Sequence, residues 1–193
     1  MEDFLLYIKL GLTHVLDFNG YDHVLFLMVL AVVYMFKDFK MVFWLVTFFT
    51  IGHTLTLVLA AYKLLFVSIS VVEFLIPLTI FITALANLLT LKKNLTTHSY
   101  TNLFFALVFG LIHGLGFSNY FRMRVDSTES KLLPLVSFAI GIEIAQVIVV
   151  LGILTLGYVA QHIIKITRRD WIFFISALVM GMVIPMLIDR KFW

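Results

Sequence analysis

Six apolar stretches, at about residues 20–36, 41–62, 67–91, 100–121, 132–160 and 171–189, occupy most of this chain of 193 residues. Each holds about 17–29 residues, against the roughly 20 that a helix needs to cross a bilayer core about 30 Å thick; the longer ones fit with tilt. The connections, Lys37–Lys40, Lys63–Phe66, Lys92–Ser99, Arg122–Lys131 and Lys165–Asp170, are too short to hold a soluble domain. The reading is therefore all-α: a single integral membrane domain over residues 1–193, folded as a polytopic transmembrane helical bundle with six long spans. A shorter apolar stretch, Phe4–Leu16, precedes them and contains Lys9. It reads as a short N-terminal helix, whether a seventh span, a half-helix or an interfacial one. It starts acidic, with Glu2 and Asp3, and lacks a small-residue cleavage site, which speaks against a signal peptide.

Composition agrees and excludes several chemistries. The chain is 62% hydrophobic and 13% charged, with a mean hydropathy of +1.08, far above the apolar share of soluble domains. With no cysteine, disulfides, thiolate ligands and a cysteine nucleophile are excluded, so any metal site must use nitrogen and oxygen. The net charge of +3 comes from connecting lysines and arginines and gives no reason to expect nucleic acid. Those residues fall seven and seven on alternate sides, so the positive-inside rule favours neither orientation.

Against this apolar background, Asp22, Glu73, Glu143, His23, His53 and His113 lie within the apolar segments, with no lysine or arginine among them. His14 joins them from the short N-terminal segment. An ionisable group at mid-bilayer costs about 3 kcal/mol or more, so it is rarely idle. Without a basic partner, these carboxylates must be protonated, hydrogen-bonded or neutralised by a bound cation. Mixed with imidazoles, they point to a divalent transition metal.

Spacing gathers further groups. Thr50, His53 and Thr54 share one helix face with Leu57. Glu73 and Asn87 are fourteen residues apart, on one stripe but about 21 Å apart along the axis, too far to hold one ion. Gly110, Gly114 and Gly116 surround His113 and allow a neighbouring helix to approach it, as small residues do in membrane bundles. Glu143 and Gln146 are three apart, beyond Ser137 and Gly141. Thr50, Thr54, Glu73, Asn87 and Gln146 are the candidate supporting or pathway groups; Gly110, Gly114, Gly116 and Gly141 are the candidate close-packing positions. Structural roles compete with each of these. A lone histidine often bonds a neighbouring backbone, Asp22 suits a helix N-terminus, and Asn87 is more often a helix–helix contact than a ligand. His98 and His162 read as interfacial. The joint occurrence of acid and imidazole on several helices favours one shared site.

Gly11-Leu-Thr-His14, Gly20-Tyr-Asp22-His23-Val-Leu-Phe-Leu, Thr50-Ile-Gly-His53-Thr-Leu-Thr-Leu, Val72-Glu73, Phe109-Gly-Leu-Ile-His113-Gly-Leu-Gly-Phe117 and Phe138-Ala-Ile-Gly141-Ile-Glu143-Ile-Ala-Gln146 occur in that order. From about residue 11 to residue 150 the chain resembles the HupE/UreJ family. These are small bacterial membrane proteins associated with hydrogenase and urease maturation and regarded as nickel permeases. The resemblance implies a multi-pass protein of the bacterial cytoplasmic (inner) membrane. It places metal transport on His14, Asp22 and His23, with His53, His113 and Glu143 matching the family's other polar signatures. The spacing from His14 to Asp22 is longer than the resemblance implies, the extra residues lying at Asp17–Asn19.

The resulting expectation is a permease for a divalent transition metal, nickel favoured and zinc the alternative, working by alternating access. Its ligands are His14, Asp22, His23, His53, His113 and Glu143. His23, Asp22 and His113 form the centre, Glu143 neutralises charge or exchanges protons, and His14 and His53 serve as entry or supporting ligands. A rival is an intramembrane zinc hydrolase using the same cluster, Glu143 as base and Ser99, Ser118 or Ser137 as accessory groups. A third reading is a metal-presenting or structural partner of a larger membrane complex. The expected partners are the metal ion and lipid, with a second copy or an accessory membrane protein beside them. Ligand imidazoles must be neutral, so uptake should weaken below about pH 6. Uptake that stays flat between about pH 5.5 and 7.5 would remove histidine from the ligand set.

Overall fold

The computed structural model describes residues 2–17, 20–65, 67–91, 100–125 and 131–193, apart from a few side chains within them. His98, Ser99 and most of the connections Lys92–Ser99 and Arg122–Lys131 lie outside the described residues.

Among the described residues seven α-helices form: α1 (Glu2–Val15), α2 (Asp22–Ala31), α3 (Phe39–Ala61), α4 (Ile69–Thr90), α5 (Tyr100–Arg124), α6 (Leu132–Tyr158) and α7 (Arg168–Asp189). A 3₁₀ turn, Phe36–Asp38, leads into α3, and a π-helical turn, Val159–Ile163, extends α6. Five of these units are long and apolar enough to cross a membrane: Phe36–Ala61, Ile69–Thr90, Tyr100–Ser118, Leu132–Ile163 and Arg168–Asp189.

Among the described residues the expectation of six long spans is thereby corrected to five, with two shorter helices. Residues 20–36 yield only the ten-residue α2, about 15 Å long and half of the hydrocarbon thickness. Its C-terminal end is held by side chains from elsewhere. The Arg168 guanidinium donates to the Val33 carbonyl at 2.6 Å, and the Asp38 carboxylate accepts from the Met35 N–H at 3.1 Å. Asn87 of α4 donates to the Val29 carbonyl at 2.8 Å and to Ser176 Oγ of α7 at 3.3 Å. The sequence is apolar enough to span, but α2 packs against α4, α6 and α7 inside the bundle.

Glycine sets the closest helix contacts. Along α3 and α5, a Cβ added at Gly110 would meet the Phe49 backbone, at Gly114 the His53 carbonyl and Thr56 Oγ1, and at Gly52 the Leu107 carbonyl. The register advances in the same direction on both helices, so α3 and α5 run parallel at backbone contact. Gly11 of α1 meets Phe138 of α6, and Gly141 of α6 meets Ile8. The core between these pairs includes Phe26, Phe49, Phe121 and Phe138, each essentially inaccessible. The outer faces carry exposed Phe104, Ile148, Phe173 and Phe174, as expected of surface turned toward lipid.

Candidate metal centre

The two glycine-packed pairs, with α2 between them, bring four imidazoles into one cluster. His14 closes α1, His23 opens α2, His53 sits mid-way along α3, and His113 lies in α5 beside the Gly114 contact. Ring centres are 4.6 Å apart for His14 and His23, 5.7 Å for His14 and His53, 5.8 Å for His23 and His53, and 5.4 Å for His23 and His113. Each of His14, His23 and His53 offers a ring nitrogen within 4.8 Å of the other two. A tetrahedral ion bound at about 2.0–2.1 Å sets its nitrogens about 3.4 Å apart, so modest side-chain rotation closes the site.

Hydrogen bonding assigns the tautomers. His23 Nδ1 lies 3.1 Å from Asp22 Oδ1, which also accepts from the His23 backbone N–H at 2.9 Å. An ionised carboxylate only accepts, so that Nδ1 carries the proton and Nε2 presents a bare lone pair. His113 repeats the pattern: its Nδ1 donates to the Phe109 carbonyl at 2.9 Å, again leaving Nε2 free. A ligating histidine typically donates its second N–H in this way, which fixes ring orientation and raises basicity. Nε2 of His14, His23, His53 and His113, together with Nδ1 of His53, is buried with no hydrogen-bond partner among the described residues. Buried polar atoms are satisfied in the great majority of cases, so several in one cluster call for an explanation.

A cavity of about 910 Å³ reaches this cluster from one end of the bundle. His14, His23 and His113 line it, with Asp17, Asp22, Glu73 and Arg190. Asp17 and Glu73 are exposed, and Arg190 Nη1 stands 3.7 Å from Asp22 Oδ2. Among the described residues the lining therefore carries three carboxylates and one guanidinium, a balance that attracts cations. His53, fully buried, stands behind the other rings.

The remaining candidates lie elsewhere. Glu143 Oε1 accepts from Thr47 Oγ1 at 2.6 Å, and Gln146 Oε1 accepts from Thr50 Oγ1 at 3.0 Å. These four form a separate cluster between α3 and α6, and no Glu143 oxygen belongs to the group close enough to share an ion with the histidines. Thr54 follows His53, with a buried hydroxyl that lacks a partner among the described residues. Glu73 lines the cavity, and Asn87 holds α2. Gly110, Gly114 and Gly141 lie at backbone contact, whereas Gly116 faces the Ile76 and Val72 side chains. His162 is exposed and stacks on Tyr158 at 4.3 Å. His14 belongs to the central group with His23 and His53, where the sequence reading made it an entry or supporting ligand.

Sequence reasoning missed Thr47, Arg190 and the packing roles of Gly11 and Gly52. One signal was present: Gly11-Leu-Thr-His14 and Gly110-Leu-Ile-His113 repeat the same spacing, glycine one turn before a histidine. Phe117 and Phe138, stacked at 5.1 Å, complete the apolar wall, Phe117 lying 3.9 Å from the His14 ring. They too were read only as motif letters.

Fold and site thus define a multi-pass membrane protein with a buried cluster of imidazoles. The chain belongs to the HupE/UreJ family: the family model described as HupE / UreJ protein matches residues 1–189. No curated protein and no solved structure matches it.

Proposed function

We propose that the chain carries a divalent transition-metal ion, nickel by its family, across the bacterial cytoplasmic membrane, with His14, His23 and His53 as the binding station. The observation that carries this reading is the set of buried Nε2 atoms lacking partners among the described residues, at the end of a cation-attracting cavity. Asp22 holds the His23 ring and supplies charge, and His113 adjoins as a fourth donor toward the cavity. Imidazoles with one nearby carboxylate bind such an ion firmly enough to strip its water, yet without thiolates they still release it, as a permeation path requires. Glu143, Gln146, Thr47 and Thr50 continue a polar track along α3, Thr47 lying about 9 Å of helix rise from His53.

Three imidazoles facing an open cavity also fit a zinc ion with a free coordination position, the arrangement of a hydrolase. Two measurements together separate the readings: elemental analysis of detergent-purified protein and nickel flux into proteoliposomes, for wild type and His23→Ala. Saturable nickel flux that His23→Ala loses, with little metal retained on purification, is the expected result. Tightly held stoichiometric zinc without flux would replace the permease by the hydrolase.

A further inference from the structure

A place on the polar track does not account for the composition of the buried cluster between α3 and α6, which is all oxygen and amide with no imidazole. Its members are spaced to face one another: Thr47 and Thr50 are three apart on α3, Glu143 and Gln146 three apart on α6, and each hydroxyl bonds across to one of the pair. Gln146 is fully buried, Thr50 nearly so, and Thr47 and Glu143 are half-buried. The second carboxylate oxygen, Glu143 Oε2, is buried with no partner among the described residues and has its lone pairs free to accept. No lysine or arginine is within ion-pair distance of Glu143 among the described residues. With one hydroxyl as its hydrogen-bond donor among the described residues, a carboxylate at this depth must be protonated or neutralised by a bound cation.

We propose that this cluster is a second cation site, taking a monovalent alkali cation such as sodium. Its donors are all oxygen: both carboxylate oxygens of Glu143, Oε1 of Gln146 and the hydroxyls of Thr47 and Thr50. Oxygen ligands select hard cations, in contrast to the imidazoles of the nickel station. The single negative charge balances one positive charge. A divalent ion here would leave a net charge buried in a medium that penalises it. Both sites draw on α3, Thr50 standing one turn before His53, so occupancy of the oxygen site bears on the helix that carries the innermost imidazole. In that setting the alkali cation is the coupling ion of the transporter. Only this coupling role rests on the transport reading; the site itself does not.

The test is equilibrium binding of radioactive sodium to the full-length protein in detergent, with excess potassium as competitor. Wild type should bind saturably. Glu143→Gln, which keeps the acceptor for Thr47 but removes the charge, should weaken binding about tenfold or more, a loss of at least 1.4 kcal/mol. Thr47→Val should weaken it less, and His23→Ala should retain it. Thermal unfolding of each variant shows that it is folded. Absence of saturable sodium binding in wild type, or equal binding by Glu143→Gln, overturns the proposal and leaves the imidazole station untouched. Sodium binding without nickel binding would overturn the transport reading instead and leave this site standing.

Discussion

His53→Leu should abolish nickel binding and at the same time raise the thermal stability of the metal-free protein. His53 is wholly buried, and neither ring nitrogen has a hydrogen-bond partner among the described residues. A buried polar group left unsatisfied costs about 1–3 kcal/mol. Phe49 and Phe138, with ring centres 6.3 and 6.4 Å from the imidazole, already supply an apolar lining. Leucine removes the unsatisfied nitrogens and keeps most of the volume, so the packing survives while the third nitrogen of the station is gone. Calorimetric nickel titration beside thermal unfolding in detergent reads both effects. A variant that unfolds earlier and still binds nickel would show that His53 is a packing residue. Asp22→Asn makes the companion case. The amide oxygen can still accept from the His23 backbone N–H but orients the His23 ring less firmly, and the expected loss of affinity is about 10–100-fold, the range for groups that hold a ligand in place.

Much of this was legible because membrane helices announce themselves by length. Residues 41–62, 67–91, 100–121, 132–160 and 171–189 each became a helix with ends shifted by a few residues, since nothing short of a full helix satisfies the backbone of so long an apolar run. The exception was 20–36. There hydropathy records only that the side chains avoid water, and a helix buried among other helices reads the same as one that spans. The contacts that hold the end of α2 include Asn87 to Val29 and Arg168 to Val33, made across 58 and 135 positions of sequence, which no local pattern carries. The site followed the same division. Periodicity put Thr50 beside His53 and Gln146 beside Glu143, because those relations lie within one helix. That His14 and His53 belong with His23, while Glu143 bonds Thr47 instead, depends on how helices pair, and only the glycine contacts decide that.

Those contacts carry the last prediction. Gly114→Leu should cost more than any single histidine substitution, taking both stability and nickel binding with it. Between membrane helices no difference in apolar solvation drives association, so backbone approach at small residues supplies much of the attraction. At Gly114 the space for a first side-chain carbon is already filled by the His53 carbonyl and Thr56 Oγ1, and at Gly110 by the Phe49 backbone. Backbone cannot rotate aside as a side chain can, so leucine must push α3 away from α5. Overpacking of this kind typically costs 1–3 kcal/mol and sometimes more, and a rigid backbone neighbour places it at the upper end. His53 and His113 sit on the two helices being separated, so the cluster opens as the bundle loosens. Gly152→Leu and Gly181→Leu are the controls: nothing lies within 4 Å of a Cβ added at either position, and leucine there meets lipid. Thermal unfolding and nickel titration of the three variants should therefore show one severe loss and two near-neutral changes. Equal tolerance at all three positions would mean that α3 and α5 are not held at backbone contact.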